Sequence, residues 1–252
     1  MKVRPGKSPP AVFTTTRPAA EPDSAQARAF RVALAIRSGR ACPNANFDRF
    51  LPSDLHAASR RYWTPLSVAD RAARWLTELD IASVVDIGAG VGKFCVATAL
   101  GCSATFTGLE HRPRLVSEAQ ALARLFGVEE RVQFLTGEFG RAHTPAAECY
   151  YFFNPFGENL FDATEQLSGD VDLSHGRHLR DIAAAESFLA SVPVGTYVLT
   201  YNGFGGKLPG DFHEVRSDST FRCVLRLSRR EAVTIPIGPS CSESSAPARS
   251  NA

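Results

Sequence analysis

The chain of 252 residues has no strong excess of either charge, because its net charge is only +2. A protein that grips a long nucleic-acid duplex usually shows a marked basic excess, so the balance argues against that partner, although basic residues can still cluster on one face. No apolar run approaches the roughly 18 residues of a membrane span. The N-terminal residues lack the apolar segment of a secretory signal, although their arginine-containing, acid-poor composition also fits a transit peptide.

The sequence has six cysteines, but none of them forms a Cys-x-x-Cys pair, and no His and Cys cluster has zinc spacing. We interpret them as small packing residues of a reduced protein. We therefore predict no metal, no membrane association and a cytoplasmic location. Hydrophobic residues make up 44% of the chain, which is enough for a sizeable core.

The most informative stretch present is residues 84–94, where an apolar run ends in Asp86 and glycines follow at alternate positions: Gly88, Gly90 and Gly92. This pattern predicts a buried parallel strand, a tight turn and the start of a helix. Glycines let the backbone turn sharply and let a ligand approach the main chain. The helix start directs unpaired N–H groups at that ligand.

Around this stretch, predicted strands and helices alternate along the chain, and the pattern predicts an α/β fold: a doubly wound, mostly parallel seven-stranded sheet with a C-terminal antiparallel hairpin. We expect strands at residues 83–87, 104–109, 132–135, 149–153 and 195–201, and the hairpin at 212–216 and 221–227. We expect helices at residues 26–37, 66–79, 94–100, 113–126 and 178–189, with Thr64 as the N-cap of the second and residues 47–55 as a connector. The long polar segment at residues 157–178 is predicted to be a functional or disordered loop.

Four polar side chains fall at the carboxyl ends of predicted strands: Asp86, Glu110, Glu138 and Asn154. Ligands of doubly wound sheets bind at that edge. The coincidence predicts a binding site there.

The spacing of the glycines separates two possible ligands. A dinucleotide fold requires G-x-G-x-x-G, but Lys93 occupies the place of the third glycine and Gly92 comes one residue early. The run from Asp86 instead resembles motif I of class I S-adenosylmethionine-dependent methyltransferases, acid-x-G-x-G-x-G. The resemblance implies a Rossmann-like fold with S-adenosylmethionine as cofactor, held by Asp86, Gly88, Gly90 and Gly92. This cofactor has no phosphate, and its ammonium group suits an acid near Asp86.

The resemblance also implies roles for acids at later strand ends. Glu110, about 20 residues after Gly88, takes the position that binds both ribose hydroxyls. Glu138 takes the position that meets the adenine amino group. The alternative is that both are solvated surface acids. Residues 62–65 resemble an aromatic-Thr-Pro segment that lies over the cofactor in some adenine-specific methyltransferases, which adds Tyr62 and Thr64 to the cofactor-binding residues; a helix cap with buried aromatics is the alternative.

The sequence Asn154-Pro155-Phe156 resembles the Asn-Pro-Pro-aromatic motif of methyltransferases that act on nitrogen. The resemblance implies that Asn154 orients the target nitrogen, that the Pro155 carbonyl accepts its second N–H, and that Phe156 stacks on a planar substrate. One proline of the motif is missing and the aromatic residue comes one place early. The alternative is an ordinary Asn-Pro turn after a buried strand.

The resemblance covers about residues 62–227, and we interpret the chain as an S-adenosylmethionine-dependent methyltransferase directed at nitrogen. Its acceptor is a protein, a small amine or a nucleic-acid base. Residues 81–237 are predicted to form the cofactor-binding domain, residues 25–80 a helical segment packed on it, and residues 1–24 and 238–252 disordered tails. The alternatives are an NAD(P)-binding oxidoreductase on the same fold and an inactive methyltransferase-like scaffold.

Overall fold

The computed structural model describes residues 24–162, 164–167 and 171–232. The two tails predicted to be disordered lie outside the described residues, apart from Ser24.

One sheet of seven strands forms the centre of the described chain. Its strands are β1 (Ser83–Ile87), β2 (Thr105–Glu110), β3 (Val132–Thr136), β4 (Cys149–Phe152), β5 (Tyr197–Tyr201), β6 (Phe212–Asp218) and β7 (Leu225–Arg230). They lie in the order β3-β2-β1-β4-β5-β7-β6. The first five strands are parallel, and β7 runs antiparallel to both of its neighbours. The predicted fold class, including the antiparallel hairpin, is confirmed.

Helices cover both faces of this sheet. They are α1 (Ala25–Arg37), α2 (Asn44–Asp48), α3 (Ser53–Tyr62), α4 (Leu66–Glu78), α5 (Lys93–Gly101), α6 (Pro113–Phe126), a 3₁₀ turn (Gly157–Leu160) and α7 (His175–Ser191). Alternate strand residues point to opposite faces, so Val84 packs with the layer that contains α1 to α6, whereas Val85 packs with α7. No helix among the described residues is long and apolar enough to cross a membrane.

The N-terminal layer differs from the prediction in two ways. The predicted connector at residues 47–55 is too long, because the last two residues of α2 and the first three of α3 lie there and only residues 49–52 join the two helices. Helix α2 is stabilised by distant contacts, since the buried Phe47 ring stacks on Phe126 at 4.7 Å between centroids. The prediction that Thr64 caps α4 is also wrong: the Asn44 side chain accepts the Leu66 N–H at 2.8 Å instead.

Candidate active site

The loop after β1 carries three glycines in the left-handed region, with φ of 76° at Gly88, 55° at Gly90 and 72° at Gly92. Backbone N–H groups of Gly88 and Ala89 both donate to the Leu109 carbonyl, at 2.9 and 3.0 Å. The loop is therefore tied to the end of β2 before α5 begins. Only glycine adopts such a conformation at three alternate positions at low cost, which is why this spacing could be recognised in the sequence.

Each glycine also faces a different neighbour at short range. A Cβ atom on Gly88 would lie 2.7 Å from the Pro155 Cβ, and one on Gly90 would overlap the Trp63 ring. A Cβ on Gly92 would lie 2.6 Å from Cε1 of Phe134. The loop is thus the meeting point of the β4 turn, the end of α3 and β3.

Glu110 is brought to this loop. It is buried, with 4% of its surface exposed, and its Oε2 accepts the Gly90 N–H at 3.0 Å. Its Oε1 accepts the Arg112 N–H at 2.9 Å. Burial raises the pKa of this carboxyl group, while the two backbone donors act in the opposite direction. The structure therefore places a fixed carboxylate beside the glycine turn.

Asp86 lies beneath the same loop at the end of β1. It is 3% exposed, and its Oδ2 accepts the Cys95 S–H at 3.3 Å. Burial raises the pKa of Asp86 to about 7, although the thiol hydrogen bond lowers it in part. A carboxyl group with this pKa changes charge readily when a cation approaches it.

A cleft of about 460 Å³ runs beside the loop and joins several of the predicted residues. Gly88, Glu138, Pro155 and Phe156 all line it. Glu138 also forms ion pairs with Arg141 at 3.2 Å and with Arg177 at 3.6 Å, and its side chain is 28% exposed. The other lining residues are Ile87, Leu109, His111, Gly137, Phe139, Glu158, Asn159, Leu173, Arg177 and Asp181.

The segment after α3 places a residue that the prediction omitted directly over the loop. Trp63, 8% exposed, covers Gly90, while its indole N–H faces the Leu55 carbonyl at 3.4 Å. Tyr62 instead donates its hydroxyl hydrogen to the Glu165 carbonyl at 2.5 Å. Thr64 is buried, with its hydroxyl 2.8 Å from that of Tyr151. The roles of Tyr62 and Thr64 in cofactor binding stay predictions. The sequence shows that two aromatic residues precede Thr64, but it does not show which of their side chains points to the loop.

The turn after β4 is held by backbone hydrogen bonds from two sides. Asn154 has a left-handed φ of 43°, which is uncommon for a residue with a side chain. Its N–H donates to the Gly203 carbonyl at 2.8 Å, and its carbonyl accepts the Gly157 N–H at 3.0 Å. Phe156 is 5% exposed and packs against Phe139, with 6.0 Å between ring centroids. The catalytic roles predicted for Asn154, Pro155 and Phe156 stay predictions.

His178 reaches this turn from α7. Its Nδ1 lies 2.9 Å from the Phe156 carbonyl oxygen. Because a carbonyl oxygen only accepts, Nδ1 carries the hydrogen of this bond. Asn159 Nδ2 donates to the same oxygen at 3.1 Å. No local sequence signal connects His178 with a turn more than 20 residues earlier, so the prediction missed it.

A buried ion pair links the two sides of the cleft. The Arg112 guanidinium, after β2, contacts both oxygens of Glu158, which follows the β4 turn, at 2.9 Å each. Glu158 Oε1 also accepts the Leu167 N–H at 2.7 Å. This two-point contact fixes both side chains, and hence the spacing of the two strand ends.

Lys93, in the place of the dinucleotide glycine, points away from the loop. It is 2% exposed, and its Nζ lies 2.6 Å from Asp48 Oδ1 and 3.2 Å from Ser59 Oγ. The side chain therefore holds α2 and α3 against the start of α5. The Lys93 ammonium group therefore does not point to the place where the phosphates of a dinucleotide would bind.

The strand order and the glycine loop define the class of fold: a Rossmann-like sheet of the kind found in class I methyltransferases. Neither a scan against protein-family models nor a search of curated proteins found a significant match. Among solved structures, the chain is similar to an O-methyltransferase family 2 protein from Planctomyces limnophilus in complex with apigenin. Sequence identity is 16%, the TM-score is 0.50, and the match covers 82% of this chain and 64% of that chain.

The chain is also similar to an RNA methyltransferase from Salinibacter ruber in complex with S-adenosyl-L-homocysteine. There the identity is 19%, the TM-score is 0.49, and the match covers 69% of this chain and 97% of that chain. The similarity to the Planctomyces protein confirms the predicted Rossmann-like methyltransferase fold, and this chain spans 64% of that protein's length.

Proposed function

We propose that this protein is an S-adenosylmethionine-dependent methyltransferase. The observation that carries the proposal is the buried Glu110 carboxylate, which is fixed at the end of β2 by the Gly90 N–H of the glycine loop. A carboxylate at this strand end accepts the two hydroxyl groups of a ribose, and the adjoining turn leaves room for a ligand close to the main chain. When bound, the cofactor supplies a methyl group on a sulfonium centre.

The residues around the loop match the chemical groups of that cofactor. Asp86 would pair with the ammonium group, and Glu110 would accept the ribose hydroxyls. The Trp63 ring over Gly90 offers an aromatic face to a cation. Glu138, in the wall of the cleft, would accept the adenine amino group. The alternative of a dinucleotide is disfavoured because its fold requires a glycine where Lys93 stands, and this position carries a buried side chain bound to Asp48.

We also propose that transfer is directed at nitrogen. The left-handed Asn154 is held through its backbone by Gly203 and Gly157, so its side chain starts from a fixed position. Asn154 and the Pro155 carbonyl would each accept an N–H of the target, leaving the nitrogen lone pair toward the methyl group. A neutral amine or amide held in this way needs no general base. Residues 81–237 would form the catalytic domain and residues 25–80 its helical cover, in a cytoplasmic protein with reduced cysteines.

The proposal is tested by thermal unfolding with S-adenosylmethionine, S-adenosylhomocysteine and NAD. At about 100 times the dissociation constant, a ligand adds about 2.7 kcal/mol, which corresponds to a rise in Tm of roughly 5–10 °C. We expect this rise with the first two ligands only. Stabilisation by NAD alone would identify an oxidoreductase, and binding without any methyl transfer into cell extract would identify an inactive scaffold.

A substitution tests whether the Glu110 carboxylate binds the cofactor. Glu110→Gln keeps the shape of the side chain but removes its charge and replaces one of its two acceptor oxygens with an NH2 donor, so affinity for S-adenosylhomocysteine should fall at least about tenfold. Glu129→Gln, a change at an exposed glutamate, is the matched control and should leave affinity unchanged. Equal affinities for the two variants would contradict the ribose role of Glu110.

A further inference from the structure

A buried group of polar side chains lies beneath the glycine loop, on the face of the sheet that packs with α1 to α6. Asp86 on β1 pairs in register with Tyr151 on β4 and with Gly108 on β2. Cys95, in the first turn of α5, reaches the same place from the helix layer. None of the three side chains is more than 3% exposed. A carboxyl, a phenol and a thiol group are therefore held together away from water.

One donor serves the carboxyl group of this cluster. Among the described residues, the Cys95 thiol is the one hydrogen-bond donor to the Asp86 side chain, with 3.3 Å between Sγ and Oδ2. The strand neighbours supply none, because Gly108 has no side chain and the Tyr151 hydroxyl is bound to that of Thr64 at 2.8 Å. The orientation of the Asp86 carboxyl group therefore depends on α5.

The thiol remains a donor over the neutral pH range. Burial raises the pKa of Cys95 well above its usual value, and the charge of Asp86 acts in the same direction. The hydrogen therefore stays on sulfur. Because a hydrogen bond to the ionised form of a carboxyl group favours that form, the thiol opposes the effect of burial on the Asp86 pKa.

The other groups that face Asp86 do not balance its charge. Glu110, at the end of β2, raises the pKa of Asp86 through its own negative charge. Burial raises the pKa of Tyr151 well above its usual value, so this phenol stays neutral. In the described part of the chain, no cationic side chain contributes to the pKa of Asp86. A buried carboxylate needs a partner, and a cationic ligand would supply it.

From this arrangement we infer that Cys95 is a positioning residue for the methyl donor: its thiol fixes the orientation and the charge of the Asp86 carboxylate that receives the ammonium group. The inference rests on the proposed methyltransferase function and adds a residue to its cofactor site. Cys95 acts through Asp86, which lies nine residues earlier in the chain. The glycine loop between them brings the strand end and the helix together.

The first test uses the free protein. Nuclear magnetic resonance of isotope-labelled aspartate carboxyl groups follows the titration of Asp86, and the Asp86→Asn variant identifies its signal. In Cys95→Ala the donor is lost, so the midpoint of this titration should rise by about 0.5–1 pH unit. Cys95→Ser keeps a donor and should return the midpoint to within about 0.3 unit of the unmodified protein.

The second test is calorimetry with S-adenosylhomocysteine. At pH 7, where Asp86 of the unmodified protein titrates, Cys95→Ala should bind about two- to fivefold more weakly because less of its Asp86 is ionised. At pH 8.5 Asp86 is mostly ionised in both proteins, so the difference should shrink to less than about 1.5-fold. Titration of the ligand ammonium group cancels in this comparison. A role of the sulfur in packing alone would weaken binding by the same factor at both pH values.

The matched control is Cys149→Ala, which removes another fully buried thiol from the same core layer, at the first residue of β4. It should change neither the Asp86 midpoint nor the affinity. If Cys95→Ala does not fold, Cys95→Val fills the space without a donor and carries the same predictions. An unchanged Asp86 midpoint in the variant that lacks the donor would overturn the inference, as would equal affinity losses in the Cys95 and Cys149 variants. A Cys95→Ser protein that behaves like Cys95→Ala would also overturn it.

The two measurements separate this inference from the proposed function. A shifted Asp86 midpoint in a protein that binds no S-adenosylhomocysteine at either pH would contradict the proposed function, while the control of Asp86 by Cys95 would stand. Binding of S-adenosylhomocysteine with the same pH dependence in Cys95→Ala and in the unmodified protein would overturn the inference alone.

Discussion

The two halves of the candidate site are built in different ways. The cofactor half, at the ends of β1 and β2, consists of the glycine loop and Glu110, which are about 20 residues apart in the chain. The acceptor half, at the ends of β4 and β5, combines the Asn154 turn with Gly203 and with His178. The first half is specified locally, whereas the second depends on contacts between distant segments.

This difference explains which residues carry backbone strain. In the cofactor half, every left-handed position is a glycine, so the conformation costs little. In the acceptor half, Asn154 and Asn202 adopt left-handed φ values of 43° and 63°. Such positions persist when surrounding contacts over-determine them, and they cluster at functional sites. The cofactor half therefore adopts its turn without strain, whereas the acceptor half holds strained positions through contacts with its neighbours.

The largest effect is expected from Gly90→Ala in the cofactor half. The new Cβ would overlap the Trp63 ring and would lie 2.9 Å from its Cε3, at a φ of 55° that disfavours alanine. Affinity for S-adenosylhomocysteine should fall about 100-fold or more, since the loop or the Trp63 ring must move. Isothermal titration calorimetry measures this loss.

Gly127→Ala is the control for backbone strain alone. Its φ is 63°, but a Cβ there would have nothing within 4 Å. It should lose about 1–2 kcal/mol of stability and keep its cofactor affinity. If both variants bound the cofactor equally well, the glycine loop would not be the cofactor site.

The next largest effect is expected from Asn154→Gly in the acceptor half. Glycine accepts the φ of 43°, so the substitution removes the side-chain amide without adding strain. Methyl transfer into cell extract should slow about 100-fold, as for loss of one fixed polar contact to the reacting group, while cofactor affinity stays unchanged. Asp80→Gly, at an exposed residue with a φ of 53°, is the control and should leave transfer unchanged. Equal loss of binding and transfer would break the division into two halves.

The sequence predicted the cofactor half and its sheet better than it predicted the acceptor half. Helix α6 was predicted with its observed bounds, because Pro113 starts it and Gly127 ends it in the left-handed conformation. The sheet was predicted because its strands are short apolar runs, with Asp86 and Glu110 where β1 and β2 end. These signals come from residues that are close together in the chain, so they can be recognised in a single sequence.

The N-terminal layer and the acceptor half could not be predicted in this way. Helix α2 has five residues and is stabilised by the Phe47–Phe126 stack and the Lys93–Asp48 pair, which join residues more than 40 positions apart. A helix of that length has no stability of its own. Threonine is a common N-cap residue, but the Thr64 hydroxyl forms a hydrogen bond with the Tyr151 hydroxyl on β4 instead. Tertiary contacts decided these positions.

A smaller effect, in the cofactor half, is a pH dependence set by Asp86. Burial raises its pKa to about 7, well above the usual value of 3.8 for an aspartate. Between about pH 4 and 7 the native state keeps a proton that the unfolded state has lost, so the free protein loses stability as pH rises through this window. Cofactor affinity has the opposite sign, because the ionised carboxylate pairs with the ammonium group. It should rise by about 15-fold in total from pH 5.5 to 7, most steeply at the lower end of this range.

The variant Asp86→Asn keeps the shape of the side chain but removes the titrating carboxyl group. The amide does not titrate, so its weaker affinity for S-adenosylhomocysteine should show no such rise between pH 5.5 and 7, as measured by calorimetry. A wild-type affinity that is also flat over this range would exclude Asp86 as the partner of the ammonium group.

The smallest effect is expected in the acceptor half, from His178→Ala. The Phe156 carbonyl would lose the Nδ1 donor but would keep Asn159 Nδ2 at 3.1 Å, so the turn should loosen without unfolding. Methyl transfer should slow about three- to tenfold at unchanged cofactor affinity, as expected for the loss of one neutral hydrogen bond. His178→Gln keeps a donor and should restore most of the rate, whereas His175→Ala, at an exposed neighbour on the same helix, should have no effect. A loss in His178→Ala that glutamine does not restore would show that the ring acts through packing against Gly205, and the acceptor half would then depend on shape more than on this hydrogen bond.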